Sequence, residues 1–158
     1  MTQSFHHSFF FMFSLGLAAV LTVMPLPEAY MVFRPEWIAA VMFFWTLRYP
    51  QHIGQIISWM VGIVWDVLVN SPLGLHALTL SIQAYLVAIT LQRVQMYPVV
   101  QQSLVVFMLV GIQLMVYRWL MAIFDMPAID LEFLWAALTT ALVWPLVSVV
   151  MHRIAYDG

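Results

Sequence analysis

Apolar residues run along this chain in six long stretches, separated by short clusters of Pro, Gly, Arg and acidic residues. The stretches cover 8–24, 35–47, 53–69, 73–91, 98–124 and 131–151. A membrane-crossing helix needs about 20 mostly apolar residues, with roughly 17–25 the usual range. The pattern therefore predicts an all-α integral membrane fold with six transmembrane helices in a single domain over 1–158. Pro25-Leu26-Pro27 ends the first span. The second is short, with Arg34 before it, Arg48-Tyr49-Pro50 after it, and Trp37 and Tyr49 placed for the interfaces. The fifth is long enough to tilt or to project beyond the lipid. The first stretch is too poor in Lys and Arg, and lacks a small-residue cleavage site before Pro25, so it reads as a helix rather than a signal peptide.

Composition removes whole classes of function. Of 158 residues, 65% are hydrophobic and 8% charged, whereas soluble domains are roughly half apolar and about a quarter charged. A soluble enzyme, a nucleic-acid-binding domain and a disordered chain are excluded. With no cysteine, there is no disulfide framework, thiolate metal site or cysteine nucleophile. All five basic residues are arginines. With the amino terminus in the cytoplasm, Arg48, Arg93 and Arg153 fall at cytoplasmic span ends, and only Arg34 falls outside. Positive-inside counting then predicts both termini in the cytoplasm. Glu28, Glu36, Asp125, Asp130 and Glu132 fall outside and Asp157 inside, which adds little under the same rule.

Lipid supplies no hydrophobic drive between helices, so close packing relies on small residues and buried polar groups. The third span carries Gly54, Ser58, Gly62 and Asp66 at four-residue spacing, a single ridge. The fourth answers with Ala77, Ser81, Ala84 and Ala88. Asn70-Ser71-Pro72-Leu73-Gly74 joins them as a tight turn in which Gly74 is free to take a positive φ, so the two spans read as an antiparallel hairpin. In the sixth span, Pro145 predicts a kink.

Two ionisable groups lie inside spans, Asp66 and Arg118, each costing about 2.5–3.5 kcal/mol at a bilayer centre on insertion scales. Their depths differ by only a few ångströms at about 1.5 Å per residue, so an Asp66–Arg118 ion pair is sterically possible if spans three and five are neighbours. The alternatives are that Asp66 accepts hydrogen bonds from the backbone of the following turn, and that Arg118 snorkels to the outer interface. A proton relay needs a second buried carboxylate, which the spans lack. His6 and His7 are adjacent and point to different faces. His52, His76 and His152 are isolated, and His76 reads as a satisfied interfacial histidine. No nucleophile elbow, phosphate loop or zinc motif occurs, so no catalytic, cofactor or metal residues are assigned.

Several segments together carry a family resemblance. Phe33-Arg34-Pro35-Glu36-Trp37 opens the second span. Trp65-Asp66-Val67-Leu68-Val69-Asn70-Ser71-Pro72-Leu73-Gly74-Leu75-His76-Ala77-Leu78 joins the third to the fourth, and Leu142-Val143-Trp144-Pro145 lies near the end. In order and spacing the chain resembles the MreD family of rod shape-determining proteins over nearly its whole length. Asp66, Gly74 and Ala77 stand at that pattern's fixed points, and Arg34 and Pro35 match its entry to span two. The resemblance does not rest on Arg118.

The resemblance implies a non-enzymatic subunit of the bacterial elongation machinery, the Rod complex, in the inner membrane. It implies binding to MreC and, through it, a link from cytoplasmic MreB filaments to the peptidoglycan synthases RodA and a class B penicillin-binding protein. It also implies a fold like the six-helix substrate-binding (S) subunit of energy-coupling-factor transporters. Arg34, Pro35, Gly54, Ser58, Gly62, Asp66, Gly74, Ala77 and Arg118 are then the candidates for architecture or partner surface, with membrane lipid as a further partner. The competing reading is a vitamin-type transporter binding subunit. It would need convergent polar groups in one pocket, whereas Gln55, Thr79, Gln83, Gln113, Thr139 and Thr140 are scattered in depth.

Overall fold

The computed structural model describes residues 2–124 and 131–156, and the side chains of 2–7, 29 and 154–156 fall outside that description. The readings for His6, His7, Asp125, Asp130 and Asp157 therefore lie outside the described residues. Among the described residues all regular structure is helical: α1 Thr2–Val23, a 3-10 helix Glu28–Phe33, α2 Trp37–Arg48, α3 Gln55–Leu68, α4 Leu75–Val94, α5 Val99–Ile123 and α6 Phe133–Tyr156. Each predicted span has its helix. The 3-10 segment has no hydrophobic periodicity long enough to announce it. It starts behind Pro27 and closes with the Arg34 amide donating to Met31 O at 3.2 Å.

Chemistry at the ends explains the boundaries. Pro35 precedes α2, and Tyr49, kept out of the helical region by Pro50, ends it at φ −130° and ψ 59°. Pro98, at φ −60°, opens α5, where its missing amide costs no helical bond. α6 runs on through Pro145.

Among the described residues, three helices are long and apolar enough to cross a membrane: Leu75–Val94, Val99–Ile123 and Phe133–Arg153. The shorter apolar helices are Ser8–Val23 and Gln55–Leu68. α2 is shorter still. Its 12 residues extend about 18 Å, against roughly 30 Å of hydrocarbon. Every residue from Ile38 to Leu47 is buried, because α2 packs against α1, α4, α5 and α6. A helix that is apolar all round belongs in such a position. Its short length is tolerable because its ends meet protein. The Glu36 amide donates to Thr140 Oγ1 at 2.8 Å, and Gln95 Nε2 donates to Leu47 O at 2.7 Å.

Aromatic contacts fix α2 in place. Phe43 meets Trp144 edge-on at 4.8 Å, and Phe11 meets Trp45 at 5.6 Å. Trp45 Nε1 donates to Ser14 Oγ at 2.9 Å. Such pairs contribute about 0.5–1.5 kcal/mol each beyond simple burial.

Candidate functional site

The α3–α4 turn carries the densest polar chemistry. α3 ends in a Schellman motif: Asn70 takes the left-handed conformation at φ 54°, its amide points to Val67 O at 3.4 Å, and the Ser71 amide donates to Asp66 O at 3.0 Å. Gly74, at φ 100°, then caps the start of α4, in a conformation that side-chain-bearing residues adopt only under strain. The freedom read for Gly74 from the sequence is used.

A glycine at the helix cap supplies no side-chain oxygen, and the Asp66 carboxylate takes that role from the neighbouring helix. Oδ2 accepts from the Gly74 amide at 2.8 Å and lies 3.4 Å from that of Ala77. Oδ1 accepts from the His76 amide at 3.0 Å, from Ser71 Oγ at 2.7 Å and from His76 Nδ1 at 2.7 Å. A carboxylate can only accept, so His76 carries its proton on Nδ1. The negative charge sits at the α4 N-terminus, where the helix dipole favours it. One residue thus closes the end of α3 through its carbonyl and the start of α4 through its side chain. Asp66 is 0% exposed. Of the two alternatives for Asp66, capping by the following turn is the one formed.

The proposed Asp66–Arg118 pair is not formed. Asp66's one ion-pair partner among the described residues is His76. The reason is geometric: α3 packs on α4, not α5, and donors from the turn and α4 fill both carboxylate oxygens. The small-residue ridge has the predicted role at its centre. Ser58, Gly62 and Asp66 are buried in α3 and Ala77 and Ala84 in α4. A Cβ at Gly62 would collide with the backbone of Ala77 and His76. At the ends the ridge opens: Gly54 meets only Pro50 O at 3.7 Å, and Ala88 is exposed. Ser58, Gly62, Asp66 and Ala77 are buried in this packing and offer no surface for direct contact with a partner.

Arg34 ties down the other polypeptide crossing at this end. Its Nη1 donates to Thr22 O, and its Nη2 donates to Met24 O at 2.6 Å. Thr22 O is a terminal carbonyl of α1 and Met24 O lies just past its end, where neither has a partner inside the helix. Pro35 follows and directs the chain into α2, beginning beside Glu36.

Between these clamps lies a cavity in two adjoining lobes. One, of about 280 Å³, is lined by Arg34, Glu36, Leu114, Arg118 and Glu132 among others. The second, of about 340 Å³, is lined by Arg34, Glu36, Trp65, His76, Gln113 and Tyr117 among others. The His76 ring packs on Tyr117 at 4.6 Å. Arg118, half-buried, faces this cavity rather than Asp66. Glu36, His76, Gln113, Tyr117 and Glu132 are the residues that sequence reasoning left out of the site. The proximity of Glu36 to Arg34 was their one local signal. Of the scattered polar groups, Thr79 and Gln113 converge on the second lobe, whereas Gln83 and Thr140 bond elsewhere, to Ala39 O and to Ala136 O and the Glu36 amide.

A family model described as rod shape-determining protein MreD matches residues 3–154. The chain belongs to the MreD family. A curated relative, the rod shape-determining protein MreD of Haemophilus influenzae, is 30% identical over 142 residues, which cover 87% of this chain and 85% of the relative. No solved structure matches the chain, so the likeness to the S subunit fold rests on the family resemblance alone. MreD membership makes this a structural determinant of cell shape, not an enzyme, and a member of the rod-shape complex. Asp66, Gly74, Ala77, Arg34 and Pro35, which carry the sequence resemblance, fall in the two clamps at one end of this bundle.

Proposed function

We propose that the chain is the membrane scaffold of the Rod complex, binding MreC and through it coupling MreB filaments to RodA and a class B penicillin-binding protein. The observation that carries this reading is the family match over residues 3–154. The chain would sit in the bacterial inner membrane with six passes and both termini cytoplasmic. Positive-inside counting supports that orientation: Arg48 and Arg153 lie in the last turns of α2 and α6, and Arg93 in that of α4. The mixed-charge cavity end would then face the periplasm.

A scaffold needs a stiff frame and free helix faces. The clamps at Asp66 and Arg34 supply the first. α3 supplies the second, with Ile56, Trp59, Met60, Val64 and Val67 exposed along its outer side and available to lipid or a partner helix.

The test is co-purification in mild detergent of the tagged chain with MreC from the same genome, as wild type and as Asp66→Leu. A stable wild-type complex is expected. Loss of MreC in the variant, with normal membrane insertion, would make the α3–α4 hairpin a requirement for the binding surface. Failure of the wild type to retain MreC would overturn the proposal.

A further inference from the structure

The cavity contains two polar groups that the fold leaves unused. Gln113 is 4% exposed, lines the second lobe, and its Oε1 has no hydrogen-bond partner. Arg34 lines both lobes, and its buried Nε likewise has no partner, although both Nη atoms are engaged. More than nine in ten buried polar groups are paired in native proteins, and leaving one unpaired costs about 1–3 kcal/mol. Gln83 Oε1 and Trp144 Nε1 are also unpaired but line neither lobe. The cavity thus combines one idle acceptor with one idle donor.

Its ionisable side chains sharpen the description of what would fit. Arg34 and Arg118 are opposed by Glu36 and Glu132 around the first lobe. Burial pushes the Glu36 carboxyl up to about 7 against the pull of Arg34, so a cationic group beside it would hold it ionised, and a dipolar ligand can put each end on its opposite. A ligand that answered both atoms would carry an anionic oxygen for Arg34 and an N–H donor for Gln113. At the end of a membrane bundle, a molecule of that kind is an ethanolamine phosphate unit, either as a lipid headgroup or free in solution.

We propose that this cavity is a binding site for a zwitterionic phosphoethanolamine group, with phosphate oxygen on Arg34 Nε and ammonium directed to Gln113 Oε1 and Glu36. Each lobe is near the lower end of the size range of small-molecule sites, roughly 300 Å³, which suits a headgroup and not a whole lipid. The proposal stands apart from MreC binding and does not depend on it.

The test uses the full chain in nanodiscs of phosphatidylethanolamine and phosphatidylglycerol, extracted into detergent for native mass spectrometry, as wild type, Gln113→Leu and Arg118→Gln. Free O-phosphoethanolamine is titrated separately against the delipidated protein. The wild type should retain one phosphatidylethanolamine in preference to phosphatidylglycerol. Retention in Gln113→Leu should weaken about tenfold, the effect of one lost hydrogen bond to a charged group. Its unfolding midpoint without lipid should stay level or rise, because an unpaired buried acceptor has been removed; a structural role for the amide would lower it. Binding of free phosphoethanolamine assigns the site to the headgroup alone, and its failure beside retained lipid assigns it to the membrane lipid. Equal retention of the two lipids, or unchanged retention in Gln113→Leu, would overturn the proposal.

Discussion

Removing the Asp66 carboxylate should unlock the α3–α4 hairpin. In Asp66→Ala the amides of Gly74 and His76, now bonded at 2.8 and 3.0 Å, lose their acceptor. Loss of a helix cap alone costs about 0.5–2 kcal/mol. Each N–H left buried without a partner costs about 1–3 kcal/mol. These describe overlapping losses, so the expected destabilisation is about 2–5 kcal/mol rather than their sum. Asp66→Asn keeps one acceptor oxygen but turns an amide NH2 toward donors at the other position, so it should lose less than alanine and clearly more than nothing. Asp66→Glu adds a methylene to an enclosed site beside the Gly62–Ala77 backbone contact and should not rescue. The global assay is denaturant unfolding in detergent followed by tryptophan fluorescence. The local assay is hydrogen exchange at the amides of Gly74 and His76, which should accelerate before those of α5. If Asp66→Ala unfolds within about 0.5 kcal/mol of wild type, a range ordinary for surface substitutions, and the two amides remain protected, the capping argument is refuted.

Three further outcomes follow from the same geometry. Gly62→Ala should cost about 1–3 kcal/mol, the usual range for overpacking, since its Cβ meets backbone that cannot rotate away; unfolding midpoints measure it. Gly74→Ala should cost about 1–3 kcal/mol through backbone strain at φ 100°, while Gly16→Ala, where a Cβ meets nothing, should be neutral or slightly stabilising. Arg34→Gln should cost about 1.5–3 kcal/mol for its charged hydrogen bonds and raise hydrogen exchange across residues 22–34, with α3 and α4 unaffected; uniform acceleration would contradict a local clamp.

How much of this was legible in the sequence depends on whether the signal was local. The Gly62–Ala77 contact and the capping of the α4 start involve residues close along the chain, joined by a turn whose residue types dictate its geometry. Four-residue spacing and a Pro-Gly turn were enough to predict the hairpin and to offer turn capping as one of the readings of Asp66. The burial of α2 was not legible, because an apolar helix reads the same whether lipid or protein surrounds it, and only its length hinted at the difference. The cavity was illegible for another reason. Its charges come from residues 34–36, 118 and 132, which only the packing of α2, α5 and α6 brings together.

The failed Asp66–Arg118 pair shows where such reasoning stops. Counting residues from the span ends gave the two side chains similar depths, and depth is one coordinate of a helix bundle. The other is which helix faces which, and that was already indicated by the ridge carrying Asp66. A carboxylate at the close-packed edge of α3 points where the small residues point, toward α4. There the free amides of a glycine-capped helix start and the His76 ring form a complete set of donors within eleven residues of Asp66. An arginine on a third helix had no acceptor left to reach. The membrane charge least affordable in isolation was satisfied locally by the turn, which left Arg118 to line a cavity whose balance of charges would otherwise lack its second cation.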